Sequence, residues 1–405
     1  MTRLLLTLPL LVVATLSAAP APTLPPAGTS AVSAVLRDAT VRGDVPGVVV
    51  AVVNRDGLIY NEASGLSRTT GSKAMTRDTL FNMASMTKPI TSTAIMMLVD
   101  AGKVKLDDDV ATYLPKFRNP VVISRFTDAD SSYETRPAKR PITIRHLLTH
   151  TSGIGYTFSN AIEAKLVQRT GKSEADLPLL FDPGEGWAYG ASTRVLGEVV
   201  EAVSGQKLDA FLTSRILQPL GMRDTGYLVP PEHYGRVVAV NARGADGKFV
   251  ERPVPATLPA SVAGDGGLYG TAADYAMFLR MLLNHGKAGN TRLLSEEAVK
   301  AMLTSQSGSV TVQLQQSTNQ SLSRNFPLGA GRDHWGFGFQ LAAERMPDRR
   351  SPGSGTWAGI FNTHFFIDPV REIGVVVMMQ TLPFYDEKSM KVYASVEEAV
   401  YRHLK

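Results

Sequence analysis

The chain has 405 residues, 44% of them hydrophobic and 20% charged, enough to bury a large core and too apolar to be disordered as a whole. Its formal charge of +5 is scattered, with only 138–140 and 348–350 as small basic clusters, which argues against a nucleic-acid face. Cysteine is absent, which excludes a disulfide framework and a lipid-bearing cysteine.

The first residues, MTRLLLTLPLLVVATLSAAPAP, set one Arg before an apolar run from Leu4 to Leu16 and a tail of small residues. This is the layout of a secretory signal, too short for a membrane span. It predicts a signal over residues 1–21, a secreted or periplasmic product and no stable membrane anchor. Residues 22–30 are expected to be a flexible, Pro-rich lead-in.

From Gly47, the run GVVVAVVNRDGLIYNEASG reads as two strands about a turn at Asp56-Gly57. Between Pro89 and Gly102, Ile90, Ala94, Met97, Leu98 and Ala101 recur at helical spacing, with Gly102 placed to end the helix. The polar stretch from Asn119 to Arg140 reads as an exposed insertion or loop. Helical signals follow at 142–150, 161–169, 192–205 and 271–286. Strands return at 336–343, 359–369 and 373–380, and residues 388–404 read as a closing helix. Strands at both ends with helices between them fit an α/β (α+β) class. One antiparallel sheet would come from about 31–84 and 330–403, flanked by helices, with a mostly helical region over about 85–300.

Ser85-Met86-Thr87-Lys88 stands where an extended segment, DTLFNMA, runs into a helix. A serine hydroxyl is a weak nucleophile until a neighbour takes its proton, and a lysine one turn along lies on the same helix face. An exposed lysine is charged at neutral pH, whereas burial near other positive groups favours the free amine. The competing reading is a serine helix cap with an exposed lysine, and these residues alone leave both open. A second match, Ser204 to Lys207, sits at a helix end and reads as coincidence. His146 and His150 have metal-ligand spacing, but no Glu follows His146 and no third ligand is evident, so both read as structural. The acidic run at 128–134 fails as a calcium loop, because Tyr133 stands where glycine is required. No motif requires a cofactor or a metal.

Three distant segments follow ASMTK in order: ITIRHLLTHTSGIG (142–155), FDPGEGWAYGASTRVLGEVVEAVSG (181–205) and SGTWAGIFNTHFFIDPVREIGVVVMMQ (354–380). With them the chain resembles the serine β-lactamase and penicillin-binding-protein superfamily, in its class C-like branch, and most of all the family VIII carboxylesterases. The resemblance covers about Ala31 to His403 and implies a β-lactamase/transpeptidase-like fold. It implies that Ser85 is the nucleophile, Lys88 the base or its helper, and Tyr189 the tyrosine that shares the proton. It also implies an oxyanion hole from the backbone N–H groups of Ser85 and Ile360, and a substrate-binding strand at Trp357, Ala358 and Gly359. Gly359 is expected to let a substrate approach that strand closely.

Two departures narrow the chemistry. Penicillin-recognising relatives carry Tyr-x-Asn where this chain has Tyr189-Gly190-Ala191, and Lys-Thr-Gly or an equivalent with a cation where it has Trp357-Ala358-Gly359. The lost lysine is the usual partner of a β-lactam carboxylate, and a tryptophan there makes an apolar wall. The resemblance thus implies a hydrolase that acts through an acyl-serine on small or short-chain esters, and the leader-like first residues imply that it is exported. A β-lactamase, DD-peptidase or acyltransferase on the same site, and a non-catalytic cell-wall-binding protein, are the alternatives. Trp187 and Trp335 either line the same cleft or pack in the core. Substrate walls are expected from 156–180 and 304–334.

Overall fold

A computed structural model describes residues 20–258 and 260–405; the expected signal lies outside them as far as residue 19. The segment expected to be a flexible lead-in is instead built into the fold. Thr23 and Lys405 exchange backbone hydrogen bonds of 2.8 and 3.1 Å, and the Asn54 amide donates to Pro22 O at 2.8 Å. Helix α1 already spans Pro26–Val41. Proline in the first helical turn forfeits no hydrogen bond, so Pro25-Pro26 acts as a start signal and not as a linker.

Strand β1 (Gly47–Asn54) is buried at every position, as a valine-rich run should be when both faces of its sheet are covered. It pairs antiparallel with β2 (Leu58–Arg68), which pairs in turn with the short β3 (Lys73–Ala74). A single 3-10 turn, Ala84–Met86, then leads into α2 (Thr87–Asp100). Helix α2 is enclosed on nearly all sides, with Lys88, Thr91, Ser92 and Thr93 buried. Two of these hydroxyls have carbonyl acceptors, Thr93 Oγ1 donating to Pro89 O one turn back at 2.9 Å and Thr91 Oγ1 to the distant Gly264 O at 2.7 Å.

The polar 119–140 stretch, expected as an exposed insertion or loop, is a largely exposed insertion built as a paired hairpin of β4 (Val121–Thr127) and β5 (Ser132–Pro137). Cross-strand bonds satisfy its backbone, and Arg136 Nη1 anchors it to the buried Asp182 carboxylate at 3.0 Å. Helices α3 (Ile144–Leu148), α4 (Ala161–Thr170), α5 (Ser192–Ser204) and α6 (Ala272–Leu283) follow as expected.

The C-terminal part supplies β6 (His334–Trp335), β7 (Gln340–Leu341), β8 (Gly355–Gly359), β9 (Thr363–Asp368), β10 (Ile373–Met378) and the closing helix α7 (Glu387–His403). The run 359–369, expected as one strand, breaks into the β8–β9 turn, where Asn362 takes the left-handed φ of +57°. The eight strands form one sheet ordered β6-β7-β8-β9-β10-β1-β2-β3. The two ends of the chain therefore meet along β1 and β10, with Val52 opposite Val375. Alternation sends Val48, Val50, Val52, Val375 and Val377 toward α1 and α7, and Val49, Val53, Val376 and Met378 toward α6 and the helical region. Each such side chain contributes roughly 1.5–3 kcal/mol on full burial.

Strand β8 lies hard against the 3-10 turn. A Cβ on Gly359 would sit 2.4 Å from both Met83 O and Thr363 Oγ1. A side chain at Gly359 would therefore collide with the chain's own atoms. Gly359→Ala is expected to lower stability by about 1–3 kcal/mol, the usual range for overpacking. Urea unfolding of variant and wild type checks this, an unchanged midpoint counting against it.

A second expectation concerns α4. Its Glu163 is buried, accepts the Gly155 N–H at 2.8 Å and is pushed up to about 8, chiefly by burial. A carboxyl raised above its ordinary 4.5 holds its proton in the folded state and releases it on unfolding, so its contribution is complete below about 4.5 and is lost as pH rises through about 8. The melting temperature should fall as pH rises from about 4.5 to about 8, and Glu163→Gln should flatten the fall in calorimetric scans.

Candidate active site

Ala84, the residue before Ser85, adopts the left-handed φ of +44°, and its N–H donates to Asn82 Oδ1 at 3.0 Å. A non-glycine residue held there marks a turn that its surroundings over-determine. Neither the 3-10 turn nor α2 has a side-chain cap, so the capping reading of Ser85 fails. Instead, Ser85 Oγ lies 3.1 Å from Lys88 Nζ and 2.7 Å from the Tyr189 hydroxyl. The three residues of the sequence pattern converge on one oxygen.

Lys88 is 1% exposed. Its Nζ also donates to the Asp265 carbonyl oxygen at 2.8 Å and lies 4.8 and 5.2 Å from the ring centroids of Tyr189 and Tyr156. A buried amine needs such acceptors for its N–H groups and packing around it. Tyr189 is held by backbone bonds on either side, Ala188 N–H to His150 O at 3.0 Å and Ala191 N–H to Gly155 O at 3.3 Å.

Trp357 is more than an apolar wall. Its indole Nε1–H donates to the Tyr189 oxygen at 3.2 Å, and the two rings lie 4.7 Å apart. Behind it, Trp335 lies 4.7 Å from Trp357 and Trp187 lies 5.5 Å from Trp335, so the tryptophans form one packed block. His150 fits among them, 5.1 Å from the rings of both Tyr189 and Trp335; burial and then the Lys88 charge hold it well below the ordinary 6.5, as a neutral ring. His146 serves elsewhere, its Nδ1 accepting the Thr143 N–H at 3.1 Å to cap α3. Ala358 pairs with His364 inside the sheet, and Ile360 starts the β8–β9 turn. At the second Ser-x-x-Lys match, Gly205 closes α5 in the left-handed conformation and the Lys207 side chain is 82% exposed.

Both segments expected as walls reach this centre. Tyr156 and Phe158 stack at 5.2 Å on one side, and Phe326 lies 5.7 Å from Trp357 on the other. A strap joins them. Gln315 and Phe326 exchange backbone hydrogen bonds of 3.3 and 2.9 Å, while Thr318 donates through N to Phe158 O at 3.0 Å and through Oγ1 to Thr157 O at 2.7 Å.

Sequence reasoning passed over Tyr156, Arg194 and Asp265. The Tyr156 hydroxyl donates to the Asp265 carboxylate, which Arg194 Nη2 meets at 3.0 Å. Burial, and then the Asp265 charge, push Tyr156 well above 10, so it stays a neutral donor. The available signal was an acidic residue inside a glycine run, GDGG at 264–267, and a tyrosine directly after the glycines of TSGIG.

The beta-lactamase family model matches residues 32–397. The chain is 31% identical to esterase EstB of Burkholderia gladioli, an alignment covering 87% of this chain and 90% of EstB. It is 29% identical to the lovastatin esterase of Penicillium rubens, over 89% of this chain and 95% of that one. Among solved structures, unliganded simvastatin synthase from Aspergillus terreus superimposes with a TM-score of 0.79 at 25% identity, covering 92% of this chain and 98% of the synthase. A serine, a buried lysine and a tyrosine joined at one oxygen agree with that match, and the chain belongs to the beta-lactamase family as a serine hydrolase of its superfamily.

Proposed function

We propose that the protein is an exported carboxylic ester hydrolase acting on small or short-chain esters through an acyl-Ser85 intermediate. The observation that carries this reading is the pair of contacts on Ser85 Oγ, 3.1 Å to Lys88 Nζ and 2.7 Å to the Tyr189 hydroxyl. Ser85 Oγ attacks the ester carbonyl while its proton passes to the Lys88–Tyr189 pair. The backbone N–H groups of Ser85 and Ile360 receive the negative oxygen that forms, each such donor being worth about 3 kcal/mol. The C–O bond to the alcohol then breaks, and the pair returns the proton to the leaving oxygen. Water, deprotonated by the same pair, attacks the acyl carbon, which releases the acid and restores Ser85.

The ester preference is supported by Trp357, an aromatic hydrogen-bond donor where a cation would otherwise hold a carboxylate. The names of the similar esterases from Burkholderia and Penicillium point the same way. Export is supported by the leader-like first residues.

A fluorophosphonate probe should label the wild type and not Ser85→Ala; label on the variant would overturn the nucleophile. Comparing kcat/KM for p-nitrophenyl butyrate with that for a chromogenic cephalosporin should favour the ester strongly, and a strong preference for the cephalosporin would refute the substrate class. Trp357→Phe keeps a ring and removes the donor to Tyr189. Its kcat should drop about tenfold, the usual worth of one hydrogen bond, and stopped-flow turnover of the same ester measures the drop.

A further inference from the structure

Lys88 reaches Ser85 from a position that a second contact sets. Among the described residues, its polar contacts are Ser85 Oγ and the Asp265 carbonyl oxygen. That carbonyl belongs to a residue with Gly264 before it and Gly266-Gly267 after it. Glycine leaves φ and ψ free, so the local sequence does little to orient the peptide group. The Asp265 side chain, itself buried, is clamped from two directions. The Tyr156 hydroxyl donates to Oδ2, and Arg194, on α5, meets Oδ2 through Nη2 at 3.0 Å and Oδ1 through Nε at 3.3 Å. Arg194 Nη1 is held in turn by Glu174 at 3.2 Å, whose carboxylate accepts the Thr157 N–H and hydroxyl at 3.1 and 3.0 Å. The clamp thus closes a ring from Tyr156-Thr157 through Glu174 and Arg194 to Asp265.

We propose that Asp265 is a positioning residue whose carboxylate, clamped by Tyr156 and Arg194, fixes the main-chain carbonyl that aims Lys88 at Ser85. The inference rests on the acyl-Ser85 reading. Pairing with Arg194 has a second effect: it keeps the carboxylate from drawing the lysine away into a salt bridge. Tyr156 acts twice, by its hydroxyl on Asp265 and by its ring, which lies 5.2 Å from Lys88 Nζ and 5.1 Å from the Tyr189 ring.

The test uses the full chain with Tyr156→Phe, which removes one hydroxyl and keeps the ring, and Asp265→Asn, which keeps size and drops charge. Four quantities are measured for each: kcat and KM for p-nitrophenyl butyrate, the second-order rate of fluorophosphonate labelling, and the melting midpoint. Displaced catalytic groups lose on the order of 10²-fold in rate. Asp265→Asn should therefore lose about 10²-fold, and Tyr156→Phe about tenfold, in both kcat and labelling rate, with KM within about twofold. Wild-type kcat and labelling in either folded variant would overturn the proposal. So would a rise in KM with labelling unchanged, which would make these residues substrate contacts or mere packing. If Asp265→Asn does not fold, Tyr156→Phe alone decides. Ser85→Ala runs alongside: an active Ser85→Ala sinks the underlying reading, whereas an inactive one beside fully active Tyr156→Phe sinks this inference alone.

Discussion

An amine kept out of water beside a serine is the constraint on which this site depends. Burying an ammonium-sized group costs several kcal/mol unless acceptors and packing surround it. The protein meets that requirement by enclosing α2 on nearly all sides and placing a carbonyl, a serine oxygen and two tyrosine rings around Lys88 Nζ. These groups come from well-separated parts of the chain, so the lysine's environment exists only once the fold is complete. A shorter or more open helical region would leave Lys88 hydrated, one turn from a serine that nothing activates.

The sheet does the corresponding work for Tyr189. Its strands come from both ends of the chain, and β8 brings Trp357 to the tyrosine while Gly359 lets the same strand press on the turn before Ser85. The aromatic block behind it has little freedom to rearrange, since a ring packed on several others is fixed by volume as well as by hydrogen bonds. Trp357 thus does two things together: its ring packs on the Tyr189 ring, and its indole N–H gives the Tyr189 oxygen a neutral donor.

The central strands were legible in the sequence because unbroken valine runs have few other uses, and α2 because its apolar spacing is regular. Ser85, Lys88 and Tyr189 were legible because they sit in short segments whose order matches a known family. The clamp was not. Tyr156, Arg194 and Asp265 are common residue types, and the tyrosine and the aspartate are 109 positions apart. No local period links them. The pairing within 119–140 escaped for a different reason: its strands are largely exposed and mix apolar and polar residues without strict alternation, so no period-two pattern reports them. Pro25-Pro26 was misread because proline punctuates linkers and helix starts alike. The close approach of Met83 O to Gly359 has no sequence signal either, since the two residues lie far apart in the chain.

The exchange between Thr23 and Lys405 ties the two ends of the described fold together. Pro22 and Thr23 hold Asn54 and the C-terminal residue, so they are structural members of the sheet-and-helix layer formed by α1 and α7. Removing Pro22 and Thr23 would strip the acceptor from the Asn54 amide and the backbone partner from Lys405, so these two residues belong to the folded domain and not to a dispensable leader.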